Sequence, residues 1–499
     1  MCNDVKCTNV EHVAAIDGMY VSIIDALDQA SASLCQPAKK EYKQVPLWNE
    51  ICAEHHTAAR EGFLMWRANN CPKSGPIFEI MRKTRAQFKL VFKQCKATDK
   101  AADSNRLAKK LLHCNEQDFW KEVKKMNCRH SGSHLAETVD GFCGAEAIVG
   151  MWQDHFSSLL NSNSGSDNIE LDCQDEYLDR FSHSDVEEAI KTLKSGKASG
   201  CDGLSGEHFK YAHTKINVLL SLVINCMICH NFLPESLMKT AIVPIIKDKK
   251  GDLSCKDNYR PVAITSVVSK VFEKMILTRY MNVLGTSCNQ FGFKPAHSTD
   301  MCIFVMKQVI EFYTSHGSPV YMCFLDASKA FDRTNHVILF KRLIDRKVPL
   351  LVVRIIQKWY ASQLFFVRWG DSISGHFTVT NGVRQGVILS PYLFNVFTDE
   401  LSRRLMQMNI GCTINGVNTS HLLYADDTVI LAPSPSALQK LIDECEIFAN
   451  ECQLVFNPKK TKAMCIKPDN GKLKNVFVPD FYLNNTKITS ESNKYVIPK

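Results

Sequence analysis

The stretch HLLYADDTVILA, His421 to Ala432, sets two adjacent carboxylates, Asp426 and Asp427, inside a run otherwise suited to a buried strand. An unpaired carboxylate is costly to bury, and two side by side repel each other. A bound cation would offset both penalties. A third carboxylate, Asp326, ends another apolar run, VYMCFLD. Successive strand residues face opposite sides of a sheet, so Asp426 and Asp427 can serve one site only where the chain turns tightly between two strands. With Asp326 beside Asp426 the cluster is rich in oxygen and suits Mg2+. Two such ions about 3.5–4 Å apart can activate a 3′-hydroxyl and stabilise a leaving pyrophosphate in an in-line displacement. The competing reading makes Asp326 the start of a turn and Asp426-Asp427 an exposed hairpin tip, because Asp is a common turn residue. Taken singly, these residues do not choose between the two.

The elements that must position these carboxylates alternate between strand and helix from about residue 180 onward. SPVYMCFLDASKAFD, 318–332, reads as a strand and a turn, and NHVILFKRLI, 335–344, as a helix. FFVRWGDSISGHFTVT, 365–380, reads as a hairpin. Ser390-Pro391 predicts an N-cap followed by Pro in the first turn, and Leu393, Phe397, Leu401 and Leu405 continue at four-residue spacing. GCTINGVNTSHLLYADDTVILA then reads as a strand, an Asn415-Gly416 turn, and a hairpin with the two aspartates at its tip. Residues 436–452 read as helix, and two short strands are expected around Asn457-Pro458. This order predicts an α+β fold, with an antiparallel sheet backed by helices.

Four regions are expected. Residues 1–38 are acidic and carry no strong pattern. Residues 39–160 are basic and mainly helical, with Trp48, Trp66, Trp120 and Trp152 as aromatic anchors. A polar, Gly/Ser/Asn-rich linker covers 161–179, and the α+β region runs over 180–499. The net charge of +8 is concentrated: from Lys39 to Arg129 there are 20 Lys/Arg against 10 Asp/Glu. After the helix-start signal Gly75-Pro76, the residues Arg82, Arg85, Lys89, Lys93, Lys96 and Lys100 recur at steps of three and four. They make one stripe of a helix whose neighbouring stripe is Phe78, Met81, Phe88, Phe92 and Cys95. Such a stripe is either a solvated face or a track for a polyanion such as nucleic acid.

Several classes are excluded. The start MCNDVKCTNVEHVAA has no apolar core of the kind a signal peptide needs. The longest apolar stretch, INVLLSLVINCMIC, is interrupted by Asn217 and Asn225 and is too short to span a bilayer. The 21 cysteines follow no disulfide framework, which predicts a reduced intracellular setting, nucleus or cytoplasm. Cys226-Met227-Ile228-Cys229-His230 matches a haem-attachment string but lies on an apolar helical stretch, so a buried helix face is expected. SGKASG at 195–200 is no phosphate loop, since Lys191 stands where glycine is needed and Ala198 replaces the Mg2+-binding hydroxyl.

The company of the aspartates decides their reading. YADD, 424–427, resembles the catalytic box of reverse transcriptases, and FLDASKAFD, 324–332, resembles the strand that bears their first catalytic aspartate. GVRQGVILSPYLFNVFTDEL, 382–401, is similar to the RQG box of non-LTR retrotransposon polymerases. SGKASGCDGL, IVPIIKDKKGD, NYRPVAITSVVSKVFEK, QFGFKPAHST and NPKKTK follow the same family's order, as do PLWNE, FLMWR and FWKEVKKMN in the basic region. The resemblance, to LINE-type elements of the jockey-like branch, covers roughly residues 40–495. It implies a right-hand polymerase with fingers and palm, two Mg2+ ions (or Mn2+), dNTPs, an RNA template and a DNA primer.

Carried over by residue, the resemblance makes Asp326 and Asp426 ligands of both metals, supported by Asp427 and the Ala327 carbonyl. Phe331 takes the steric-gate position that rejects a 2′-hydroxyl; the alternative is simple core packing. Gln385 and Gly386 lie beneath the incoming nucleotide, with Arg384 nearby. Lys247 and Arg260 grip the triphosphate, and Lys460 is placed to protonate pyrophosphate. Asp332 is expected to cap the following helix.

Three departures shape the expectation. The 38 residues before the basic region are too few for the family's endonuclease, Val387 stands where Cys is usual, and the ending SNKYVIPK leaves the pattern before a helical thumb. Read as it stands, the chain is a truncated polymerase with the thumb missing. The alternative from the binding class is a catalytically silent nucleic-acid-binding remnant. An RNA-directed RNA polymerase is disfavoured by Phe331, and a two-metal nuclease has no need of the RQG box.

Overall fold

The computed structural model describes residues 9–34, 50–112, 120, 123, 135–162, 169–173, 176–177, 179–468 and 479–491. The chain forms two compact units. One runs from the N-terminus to Ser33 and resumes at Ala136; the other is Leu34–Leu135. The strands that matter for the site are β1 (Lys239–Ile246), β2 (Tyr259–Ile264), β3 (Val320–Asp326), β4 (Leu364–Trp369), β5 (Ser372–Ile373), β6 (His421–Tyr424), β7 (Asp427–Ala432), β8 (Lys462–Ile466) and β9 (Thr489–Glu491). The principal helices are α1 (Val10–Leu34), α2 (Glu50–Ala68), α3 (Pro76–Leu112), α4 (Ala145–Leu160), α5 (His183–Thr192), α6 (Lys215–His230), α7 (Val267–Arg279), α8 (Thr299–Ser315), α9 (His336–Asp345), α10 (Leu350–Ala361), α11 (Ser390–Gln407) and α12 (Pro435–Cys452). The α+β expectation holds.

A five-stranded sheet in the order β6-β7-β3-β8-β9 carries the aspartates. It is antiparallel except for the parallel pair β8 and β9. The two-residue period of β3 sorts its side chains: Tyr321, Cys323 and Leu325 join the main core with α12, while Val320 and Met322 join a second core with Met306 and Val309 of α8. The sheet is therefore covered on both faces. That accounts for an almost continuous apolar strand, and it leaves the strand ends as the place where polar groups reach solvent.

A second sheet has the order β2-β1-β4-β5, with β1 antiparallel to β2 and parallel to β4. Its apolar face packs on α4, where Trp152 stacks on Phe156 at 5.1 Å and meets Tyr259 edge-on. Residues 145–160, grouped with the basic region from the sequence, thus fall in the unit that carries the sheets. Residues 10–34 belong there too: Ile16, Tyr20 and Ile23 are buried in its main core.

The other unit is a helix pair. Gly62 of α2 faces α3 so closely that a Cβ would lie 2.8 Å from Thr84 Oγ1. Met81 and Cys52 are buried in this contact, and His56 meets Phe88 at 5.3 Å. Trp66 donates to the Pro72 carbonyl, which closes the turn between the helices. Trp48 lies outside the described residues, as do SNKYVIPK from Ser492 onward and residues 163–168, 174, 175 and 178 of the expected linker.

Other readings from the sequence fare unevenly. Asn415 and Gly416 both take positive φ in a two-residue turn between Thr413–Ile414 and Val417–Asn418, as Asn-Gly requires. Ser390 is the first residue of α11 and not its cap, which is Leu389; no side-chain cap bond forms there, and Glu273 of another helix accepts from the Leu389 amide. Of the two strands around Asn457-Pro458 only β8 forms; the preceding segment makes one bridge, Phe456 to Ala327. Cys226 is buried on α6, as a helix face would place it. Among the described residues no disulfide forms, and no helix is long and apolar enough to cross a membrane.

Candidate active site

The β6–β7 hairpin turns through Ala425 and Asp426, with Tyr424 paired to Asp427. Ala425 takes φ 60, unusual for a residue with a Cβ, so the turn must be held from outside. The segment Asn289–Gly292 holds it. Gln290 Oε1 accepts from the amides of Ala425 (3.1 Å) and Gly292 (2.7 Å), and Phe291 and Leu423 complete the ladder. Gly292 lies against the turn so closely that a Cβ there would stand 2.3 Å from the Ala425 nitrogen. Asn395 of α11 donates to the Gly292 carbonyl and fixes the segment from behind.

Asp427 pairs directly with Asp326 across β7 and β3, so both point to one face, while Asp426 occupies the turn beside them. The pKa of Asp426 is raised by burial and by Asp326, with Arg260 and Lys460 pulling it back. Asp427 is raised by burial, then by Asp426 and Asp326. Mutual repulsion is thus built into the site. Lys460 Nζ stands 3.5 Å from Asp326 Oδ2, and the loop that carries it is tied to β3 by the Asn457 amide, which donates to the Asp326 carbonyl. The Ser328 amide donates to Val455, so this pairing passes over the Ala327 carbonyl.

Cations line one side. Lys247, at the end of β1, donates to the Asp257 carbonyl at 2.7 Å. Burial lowers its pKa, and Lys329, Arg260 and Lys460 lower it further. Arg260 is exposed, and Lys329 lies 3.7 Å from Asp257. Lys329 was not singled out from the sequence; its place three residues after Asp326, in a turn it enters with φ 52, is the signal that was available.

The RQG turn is held from below at two points. Glu273, wholly buried on α7, pairs with Arg384 at 2.7 Å and accepts from the amides of Ile388 and Leu389 at the start of α11. The Arg384 guanidinium lies over the Trp359 ring at 4.4 Å. Arg384, expected near the nucleotide, is therefore committed to the interior. Glu273 was missed, although a lone acid on the apolar helix VVSKVFEKMIL was its mark. Gln385 Nε2 donates to Asp332 at 2.8 Å, and Gly386 is exposed at φ 98, with Val262 3.1 Å from where a Cβ would sit. Asp332 does not cap α9: Asn335 does, accepting from Ile338, while Asp332 is buried against Gln385.

Phe331 is half-buried. It stacks on Phe394 at 4.3 Å and meets Phe293 edge-on at 5.9 Å. Arg82, Arg85, Lys89, Lys93 and Lys96 form an exposed face of α3 in the other unit, while Phe88, Phe92 and Cys95 are half-buried. Among the described residues, no three His, Cys, Asp or Glu side chains stand as a ready metal cage. That still fits Mg2+, which binds through one or two carboxylates and takes its remaining ligands from water and substrate phosphates. The hard oxygen donors and the repulsion between them suit such a cation.

Residues 246–495 match the family described as reverse transcriptase (RNA-dependent DNA polymerase), and the chain belongs to that family. Its relatives are non-LTR retrotransposon proteins. It is 25% identical over 372 residues to a retrovirus-related Pol polyprotein from a type-2 retrotransposable element of Drosophila melanogaster, covering 72% of this chain and 34% of that protein. It is 26% identical to the RNA-directed DNA polymerase from mobile element jockey of Drosophila funebris, over 55% of this chain and 31% of that protein. The probable RNA-directed DNA polymerase from transposon X-element of Drosophila melanogaster is 28% identical, over 44% of this chain and 25% of that protein. The chain thus spans about a third or less of the length of these relatives.

Proposed function

We propose that this chain is the polymerase core of a non-LTR retroelement, copying RNA into DNA by two-metal nucleotidyl transfer. The observation that carries this reading is the meeting of Asp326, Asp426 and Asp427 at the ends of two paired strands, with Arg260 and Lys460 acting on Asp426 and Lys247 close to those two cations. The five-stranded sheet is read as the palm and the four-stranded sheet as part of the fingers. Asp326 and Asp426, with the Ala327 carbonyl, would hold Mg2+, and Asp427 supports them. Bound there, divalent ions supply activation of the primer 3′-hydroxyl and neutralisation of the leaving pyrophosphate.

The chain's own groups do the rest. Lys247 and Arg260 grip the triphosphate, an ammonium as a point charge and a guanidinium as a fork. Phe331, backed by Phe394, presents a rigid edge where a ribonucleotide would carry its 2′-hydroxyl. Gly386 lets backbone approach the nucleotide, and Lys460 stands ready to donate a proton to pyrophosphate. A second reading, a silent nucleic-acid-binding protein, draws on the exposed cations of α3. Primer extension on poly(rA)–oligo(dT) with dTTP and Mg2+ separates the two. Extension that disappears in Asp426→Asn supports the polymerase; RNA binding with no extension supports the second reading.

A further inference from the structure

Beneath the RQG turn lies a buried carboxylate that the proposed chemistry does not use. Asp332 is 4% exposed and follows Phe331 directly. Its Oδ1 accepts from Gln385 Nε2 at 2.8 Å, and its carbonyl accepts from Asn381 Nδ2. It lines a small cavity with Gln385, Arg384, Asn381, Pro261 and Ala263. A carboxylate only accepts, so it selects one of the two orientations of the neighbouring amide: the Gln385 NH2 faces inward and its Oε1 is turned away.

We propose that Asp332 is a positioning residue, fixing the orientation of the Gln385 amide and hence the hydrogen-bond acceptor that this side chain offers to the incoming nucleotide. The inference rests on the polymerase reading and deepens it. Three features of the surroundings support it. The Gln385 main chain is pinned, its carbonyl accepting from the Ala263 amide at 2.8 Å, so only the side chain has freedom left. Arg384 lines the same cavity but is paired with Glu273 at 2.7 Å. The charged groups that act on Asp332 are Lys329, Lys247 and Arg333, all cations, and they oppose the burial that pushes its pKa up to about 6.

The orientation is then pH-dependent. Above about pH 6 the carboxylate is ionised and holds the NH2 inward. Below it, the protonated acid can donate to Oε1, and the amide can reverse. An Asn at 332 offers a donor or an acceptor equally well and titrates nowhere in this range.

The test is the KM for dTTP and kcat, on primer–template with Mg2+, from pH 5 to 8, for wild type, Asp332→Asn, Gln385→Ala and the double variant. The wild-type KM should rise about tenfold as pH falls through 6, the scale of one lost hydrogen bond. Asp332→Asn should give a flat KM profile between the two wild-type plateaux, with kcat changed less than KM. Gln385 is only half-buried, so Gln385→Ala should fold normally, and it should abolish the KM limb by itself. Asp332→Asn should add nothing to it. A limb that persists in Asp332→Asn or Gln385→Ala, or effects that multiply in the double variant, would overturn the inference alone. Absence of extension by wild type would overturn the polymerase reading and take the inference with it.

Discussion

Glu273 answers to three donors at once, the Arg384 guanidinium and the two amides just before α11, and among the described residues it is the acid paired with Arg384. Removing one partner of a buried pair leaves the other charge uncompensated. Glu273→Ala should therefore lower stability by about 3–5 kcal/mol, read as a shift of the urea midpoint; an unchanged midpoint would mean that Arg384 finds another partner. At this scale the sequence was most informative where chemistry and spacing coincide. The three aspartates stand out because carboxylates at the ends of apolar strands demand an explanation. Glu273 was not found because its partner lies 111 residues away, and helical periodicity says which face is buried but not what it meets. Arg384 was placed near the nucleotide by resemblance alone, and no local pattern announces its burial against Glu273 and Trp359.

Elements decide how rigidly the aspartates stand. The β6–β7 turn is strained at Ala425 and depends on the Asn289–Gly292 segment, where glycine alone fits the space. Gly292→Ala must displace either the segment or the turn. Misplacement of reacting groups by about 1 Å can cost about 10²-fold in rate, so primer extension should fall by that order while the protein remains folded by circular dichroism. Extension at the wild-type rate would show that the turn is held by other contacts. Strands β3, β6 and β7 and helices α9, α11 and α12 were legible because their apolar periods are strong. Helix α1 was not, although Ile16, Tyr20 and Ile23, with Met19, Ile24 and Leu27, recur at helical spacing on the face that packs on the core. The parallel pairing of β1 with β4 joins residues more than a hundred positions apart, and no local pattern encodes that register.

Over the whole molecule, charge and chemistry are divided between two units. The sheets hold the aspartates, while the helix pair holds the exposed cations of α3. If Arg82, Arg85, Lys89, Lys93 and Lys96 each neutralise one phosphate of single-stranded RNA, affinity should fall about 10²-fold between about 50 and 200 mM salt. Changing Arg85, Lys89 and Lys93 to Glu should lessen the log–log slope by about 2. A salt response that these changes leave untouched would assign RNA binding to another surface.

Asp326, Asp426 and Asp427 are proposed to perform RNA-directed DNA synthesis, and primer extension on poly(rA)–oligo(dT) with Mg2+ tests that role. Wild type and Asp426→Asn are compared, each with dTTP or UTP. Wild type should extend the primer with dTTP and not with UTP, and Asp426→Asn should do neither. Equal extension by the variant, or none by wild type that nonetheless binds the template, would contradict that role.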